Sequence, residues 1–332
     1  MLYIIYVVYT GGINLGYRKL IKFGNSSHII SLPSSWVKKN KLKKGDLIYF
    51  TENGSNELIL TSKEDNKEIP EKEITIDITE KNFNQIRREI STAYVNNYRV
   101  LNIIGKNLSG KLQDVKKCLN NLMSMEIMEQ TSKNIIAKDF LDINTISIEN
   151  IIRKIDIIIR SLIADSKLTL NENNSENIYQ RDEDVNRLCF LILRTIKFNL
   201  TNLSNIKEPN ITPIILVGYW RVTDYLEKIA DEIKRIARFV TKAKLKNKKA
   251  SEFLNLYSKI EAFYLETMKT YYNKNKEDAI KLTDRKKEFI VLCDRYLEKY
   301  GNSKWTPNLI ERLKIMINEI YSIARTVYEM YD

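Results

Sequence analysis

The chain has 332 residues, enough for two or three domains with cores of their own. Its apolar and charged fractions, 43% and 29%, are those of a soluble globular protein, whereas a net charge of +12 points to anionic partners such as nucleic acid, phosphate or a membrane surface. A single histidine, His28, and three widely separated cysteines, Cys118, Cys189 and Cys293, speak against a zinc knuckle, a disulfide framework or a nucleophile–histidine mechanism, so reduced thiols and a cytoplasmic location are expected.

Residues 1–16 are an N-terminal apolar extension. Met1–Tyr9 is too short to cross a bilayer and lacks the features of a signal peptide, so no stable membrane insertion is expected. Residues 17–62 read as four short strands and one helical turn. Tyr17–Phe23 and His28–Leu32 are strands, and Pro33 opens a short helix over Ser34–Asn40, where proline is tolerated. Leu47–Phe50 and Glu57–Thr61 are strands around an Asn53–Gly54 turn. Such a unit is too small to bury a good core alone and usually dimerises.

The charge of this unit is lopsided. Between Tyr17 and Phe50 eight lysines and arginines stand against Asp46 alone. Arg18, Lys19, Lys22, Lys38, Lys39 and Lys41 are candidate phosphate contacts to DNA, which position a protein without reading bases. Arg18-Lys19-Leu20, Gly24-Asn25-Ser26-Ser27, Ser31-Leu32-Pro33-Ser34-Ser35-Trp36-Val37 and Leu42-Lys43-Lys44-Gly45-Asp46 resemble, in order and spacing, the AbrB/SpoVT DNA-binding domain. The resemblance implies a swapped-hairpin homodimer that lays basic residues of both chains along DNA. Some archaeal relatives keep the domain for dimerisation alone.

Residues 63–73 are polar and of mixed charge, a linker. Residues 74–145 read as a small α/β module. It has a strand at Ile74–Asp77, a helix over Lys81–Asn96 with Phe83, Ile86, Ile90 and Tyr94 on one face, and a β-rich stretch at Arg99–Ile104. A helix over Ser109–Met123 and strand-like alternation over Ile127–Phe140 follow. Gly105-Lys106 and Ser109-Gly110 do not have P-loop spacing, so a linker or sensor role is expected. From Ser147 onward the chain is helical, with helices near 147–168, 174–206, 212–243, 249–273, 275–299 and 304–330. The breaks at Asn171–Asn174, Glu208–Pro209–Asn210 and Gly301–Asn302–Ser303 are short, which makes successive helices antiparallel neighbours. Lys242, Lys244, Lys246, Lys248 and Lys249 read as a solvated linker within this half.

Leu226, Ala230, Ile233, Ala237 and Val240 form one apolar stripe. Leu313, Glu319, Ile320, Ile323, Ala324, Arg325 and Val327 repeat Leu226, Glu232, Ile233, Ile236, Ala237, Arg238 and Val240 at a constant offset of 87 residues. One helical unit therefore occurs twice, giving three-helix units at 146–246 and 247–332. On the first copy Glu227 and Asp231 stand four apart on a face turned from the stripe, expected outside the bundle. Lys314 and Asn318 take their places in the second copy. Asp182 and Asn186, and then Asp284 and Glu288, repeat the spacing on the middle helix of each unit. Like charges four apart repel by about 0.2–0.5 kcal/mol. Nearby lysines and arginines offset this, and a hard divalent cation on these oxygens does so more strongly.

Arg181-Asp182 through Val185-Asn186-Arg187-Leu188, and Leu226-Glu227-Lys228-Ile229-Ala230-Asp231 with Ile236-Ala237, resemble the PhoU phosphate-uptake regulators. The three-part order looks like an archaeal PhoU subfamily. The resemblances imply a multidomain α+β chain: a small swapped-hairpin β domain, a small α/β module, then an all-α PhoU-like domain of six helices in two three-helix bundles. The PhoU resemblance implies iron or another divalent metal on repeated E(D)-x-x-x-D pairs. Glu227 and Asp231 match that pattern, Asp284 and Glu288 match in type, and Asn186 replaces one acid beside Asp182. It implies a non-enzymatic regulator of phosphate uptake, homodimeric and DNA-binding, acting through a metal, a phosphate ABC transporter or a signalling protein. Three rivals stay open: a transcription factor sensing something else, a scaffold for a transporter or kinase without DNA or metal, and a metal-dependent hydrolase using Glu227 and Asp231 without a general base of the usual kind.

Overall fold

A computed structural model describes residues 17–25, 27–52, 58–62, 71–170, 175–202 and 211–331. The extension 1–16, Ser26, the Asn53–Gly54 turn, linker residues 63–70 and the breaks at 171–174 and 208–210 lie outside the described residues. The chain divides into two units, Met1–Pro70 with Asn202–Ile211, and Glu71–Thr201 with Thr212–Asp332.

In the first unit β1 (Ile21–Phe23) pairs antiparallel with β2 (Ser27–Ile29), and β3 (Tyr49–Glu52) with β4 (Leu58–Thr61). Between them α1 (Ser34–Lys39) starts directly after Pro33. Gly45 turns the chain at φ +96°, a left-handed conformation that glycine adopts without a Cβ clash. The Lys43 N–H donates to Asp46 Oδ2 at 2.7 Å and closes this turn. No described residue from 17 to 62 is buried, and Leu20, Phe23, Leu47 and Phe50 are exposed. Two short hairpins and one helical turn leave too little chain to cover these side chains.

The second unit begins with a four-stranded sheet of order β5-β6-β8-β7, where β5 is Glu73–Asp77, β6 Val100–Ile104, β7 Met125–Gln130 and β8 Asn134–Asp139. β5 and β6 run parallel, so they need a crossover, and α2 (Phe83–Val95) supplies it. A capping box starts α2: the Gln85 N–H donates to Asn82 Oδ1 at 3.0 Å and the Asn82 N–H to Gln85 Oε1 at 2.9 Å. Ile86, Ile90 and Tyr94 of α2 share a dry core with Leu101, Ile103 and Ile135 of the sheet. The helix expected from Ser109 begins as a 3-10 turn at Leu108–Lys111 and continues as α3 (Leu112–Asn120). The alternation over 127–140 is the β7–β8 hairpin, bulged between Ile127 and Glu129.

Seven helices follow among the described residues: α4 (Ile148–Leu168), α5 (Ser175–Thr201), α6 (Pro213–Ala243), α7 (Asn247–Asn273), α8 (Lys276–Asp284), α9 (Lys286–Tyr300) and α10 (Thr306–Met330). They are the six expected helices with the fifth divided at Arg285. There the Arg285 N–H donates to Leu282 O at 3.2 Å, a tight turn, and its guanidinium pairs with Glu266 while resting 5.7 Å from the Phe263 ring and 5.4 Å from the Phe289 ring. Asp284 therefore ends α8 and Glu288 opens α9, both exposed, so the single continuous helix expected under this pair is absent.

The repeated helices α6 and α10 pack side by side. Gly218 of α6 permits the approach, because a Cβ there would lie 2.2 Å from Met330 Cγ. Leu226, Ala230, Ile233, Ala237 and Val240 are all buried, as are Leu313, Ile320, Ile323, Ala324 and Val327. Thr212 caps α6, its Oγ1 accepting from the Ile215 N–H at 3.2 Å, with Pro213 at the first helical position. α5 also carries the sheet module. Phe190 packs on the module's core, and Arg194, only 2% exposed, donates to the fully buried Asp139 at 2.5 Å and lies 4.4 Å from the Tyr94 ring. Among the described residues no helix is long and apolar enough to cross a membrane.

Candidate functional site

α5 and α6 meet along a charged face. Lys234 of α6 donates to Asp182 of α5 and, at 2.7 Å, to Asp231 Oδ1 one turn back on its own helix. Arg235 holds the other Asp231 oxygen at 2.8 Å and also pairs with Glu232. Glu232 is 2% exposed and lies 3.5 Å from Arg312 of α10, so this charge network passes from α5 through α6 to α10. Burial works against the Lys234 charge, yet Asp182 and Asp231 together keep its pKa above the ordinary lysine value. Burial pushes the Asp182 carboxyl up, and Lys234 pulls it back.

Glu227 behaves differently. It is half-buried rather than outside the bundle, because α6 is flanked by both α5 and α10. Among the described residues it makes no hydrogen bond or ion pair. Burial raises its pKa first, and the neighbouring charges of Asp231, Asp224 and Asp182 raise it further. Asp224, one turn back, is held by Lys228 at 2.7 Å. Asn186 is half-buried one turn along α5 from Asp182.

The acids that the repeat singled out thus come together as Asp182, Glu227 and Asp231, while Asp284 and Glu288 stand elsewhere on exposed helix ends. The donor chemistry of this face suits a hard cation, but the arrangement does not fit a metal ion. Lys234 lies between Asp182 and Asp231, and among the described residues no three His, Cys, Asp or Glu side chains are placed to share a metal. In the second copy Lys314 pairs with Asp294 of α9, and Tyr321, which stands where Lys234 does in the first, has the Lys286 ammonium 4.5 Å from its ring. The sequence reading missed Lys234 as the partner, although a lysine three residues after Asp231 is within reach on a helix.

In the first unit Arg18, Lys19, Lys22, Lys38, Lys39 and Lys41 are all exposed, around β1, on α1 and just after it.

Residues 21–68 match the family model of the antidote-toxin recognition MazE bacterial antitoxin, and residues 150–240 match that of the PhoU domain. No curated protein sequence matches the chain. Among solved structures, the crystal structure of PhoU from Pseudomonas aeruginosa aligns at 11% identity with a TM-score of 0.41, over 55% of this chain and 91% of that one. The chain is therefore similar to a PhoU domain over 150–240, the span of α4–α6, and to a MazE antitoxin over 21–68.

Proposed function

We propose that this protein is a non-catalytic regulator of phosphate uptake, working as a cytoplasmic homodimer that binds DNA through residues 17–62 and responds through the helical domain. The observation that carries the reading is the PhoU-domain match on α4–α6, the helices that hold Asp182, Glu227 and Asp231. DNA binding is supported by the MazE-type match and by six exposed cations on a unit with no buried residue among those described, and dimerisation by its uncovered Leu20, Phe23 and Phe50. A hydrolase using Glu227 and Asp231 draws no support from the geometry, since both oxygens of Asp231 are bonded to Lys234 and Arg235. An iron or other divalent ion on this face would have to displace Lys234. We favour action through a protein partner, a phosphate transporter or a signalling protein, with Lys234 as the cation of the site.

The test has two arms. Cells lacking the protein are expected to keep taking up phosphate when phosphate is plentiful, and unchanged uptake would overturn the regulatory reading. Full-length protein is expected to shift promoter DNA of phosphate-uptake genes with a steep salt dependence, lost in Lys38→Ala/Lys39→Ala/Lys41→Ala. Retention of the shift in that variant would remove these lysines from the interface.

A further inference from the structure

The lysine run does join α6 to α7, but only Lys244 and Lys246 of it lie outside a helix. α6 runs to Ala243 and α7 begins at Asn247, so Lys242, Lys244, Lys246, Lys248 and Lys249 sit on two helix ends and the turn between them. The α9–α10 turn lies against the same end: Lys242 Nζ is 4.9 Å from the Trp305 ring, and Tyr296 Oη donates to Lys249 O at 3.0 Å. Over residues 242–252 and 295–304 there are eight cations against two carboxylates, Glu252 and Glu298, and Glu252 is taken by Lys299 at 2.6 Å. This is a dense positive patch around the half-buried Tyr300 and Trp305.

We propose that this end of the helical domain is a docking surface for an anionic phospholipid bilayer. The partner follows from the chemistry. A single-stranded nucleic acid would stack bases on open ring faces. Here the rings carry ammonium groups instead: Lys242 and Lys304 lie 4.9 and 5.2 Å from the Trp305 ring, and Lys249 and Lys299 lie 5.9 and 5.2 Å from that of Tyr300. Clustered lysines around half-buried Trp and Tyr side chains match instead a layer of phosphate headgroups, where each lysine adds to the attraction and indole and phenol rings sit at the polar boundary. The contact is peripheral, since no described helix spans a membrane. It places the helical domain where a membrane transporter is within reach.

Co-sedimentation of the full-length protein with vesicles tests this. The wild type is expected to pellet with phosphatidylcholine vesicles containing phosphatidylglycerol, and not with phosphatidylcholine alone. Lys242→Ala/Lys244→Ala/Lys246→Ala/Lys248→Ala removes exposed side chains only and is expected to weaken vesicle binding about 100-fold or more, with an unchanged circular dichroism spectrum. Lys38→Ala/Lys39→Ala/Lys41→Ala is expected to pellet as the wild type does. Failure of the wild type to pellet, or a quadruple variant that pellets equally well, overturns the proposal. So does a quadruple variant that keeps vesicle binding while losing the DNA shift, which makes the patch a nucleic-acid surface. None of these outcomes touches the phosphate-uptake reading, which the cellular arm decides separately.

Discussion

On α6 the positions turned from the buried stripe are Glu227, Asp231 and Lys234, and on α10, 87 residues later, they are Lys314, Asn318 and Tyr321. The stripes themselves differ little, Leu226, Ile233, Ala237 and Val240 answering to Leu313, Ile320, Ala324 and Val327. Burial of one large aliphatic side chain is worth about 1.5–3 kcal/mol, whereas an exposed ion pair is worth about 0–1 kcal/mol. The interior is therefore held fast while the surface is free to change, provided each copy balances its own charge. The first does so with Lys234 between Asp182 and Asp231, and the second with Lys314 on Asp294. A helical repeat establishes the scaffold, and the chemistry must be argued for each copy alone.

The copies also differ in their middle helices, and the largest expected effect lies there. α5 is one continuous helix that carries the sheet module on Arg194, while its counterpart is broken at Arg285 and carries no such load. Arg194→Ala leaves Asp139 buried with the Leu141 N–H at 3.0 Å and, as its nearest cation, Arg99 at 3.6 Å. A loss of about 3–5 kcal/mol in denaturant unfolding is expected, because one charge of a dry pair remains behind. A loss under about 1 kcal/mol would mean that apolar packing around Phe190, not the ion pair, fixes the module to α5.

Next in size is Lys234→Met, which strands the carboxylate of Asp182 and leaves Asp231 to Arg235 alone. About 1–3 kcal/mol of stability should go at neutral pH. Lys314→Met in the second copy should cost no more than about 1 kcal/mol, because Lys314 and Asp294 are 30% and 47% exposed. Equal losses would erase the contrast between the copies. Millimolar Mn2+ should leave the melting temperature of the wild type unchanged. A wild type stabilised by Mn2+ would show that the metal competes successfully with the lysine.

Much of this was legible beforehand. The period of the apolar positions located the helices, and the 87-residue offset paired α6 with α10. The half-burial of Glu227 was not legible, because a face drawn on one helix says nothing about the neighbours flanking it on both sides. Nor was the break at Arg285, which no proline or glycine marks and against which Glu266 and Phe263 of the distant α7 pack, with Phe289 of α9 beside them. Arg194 did leave a trace: an arginine inside Leu191-Ile192-Leu193-Arg194-Thr195-Ile196 is a charge in an apolar run, and such a charge needs a partner.

The smallest effect expected separates the copies by pH. Of Asp182, Glu227 and Asp231, Glu227 is the one with no cation of its own, and its counterpart in the second copy is Lys314, already paired. Burial and the charges of Asp231, Asp224 and Asp182 raise its pKa in the folded state. Over that window the folded protein binds more protons than the unfolded chain, so ionisation of Glu227 costs stability as pH rises. The cost is absent below the ordinary glutamate value near 4.3 and fully present above the raised one. Glu227→Gln keeps the shape and removes the charge, so it should raise the melting temperature at pH 7 by about 1–2 °C and have no effect near pH 4. A variant less stable than wild type at pH 7 would mean that the Glu227 charge has a cationic partner after all, and the asymmetry between the two copies would rest on Lys234 alone.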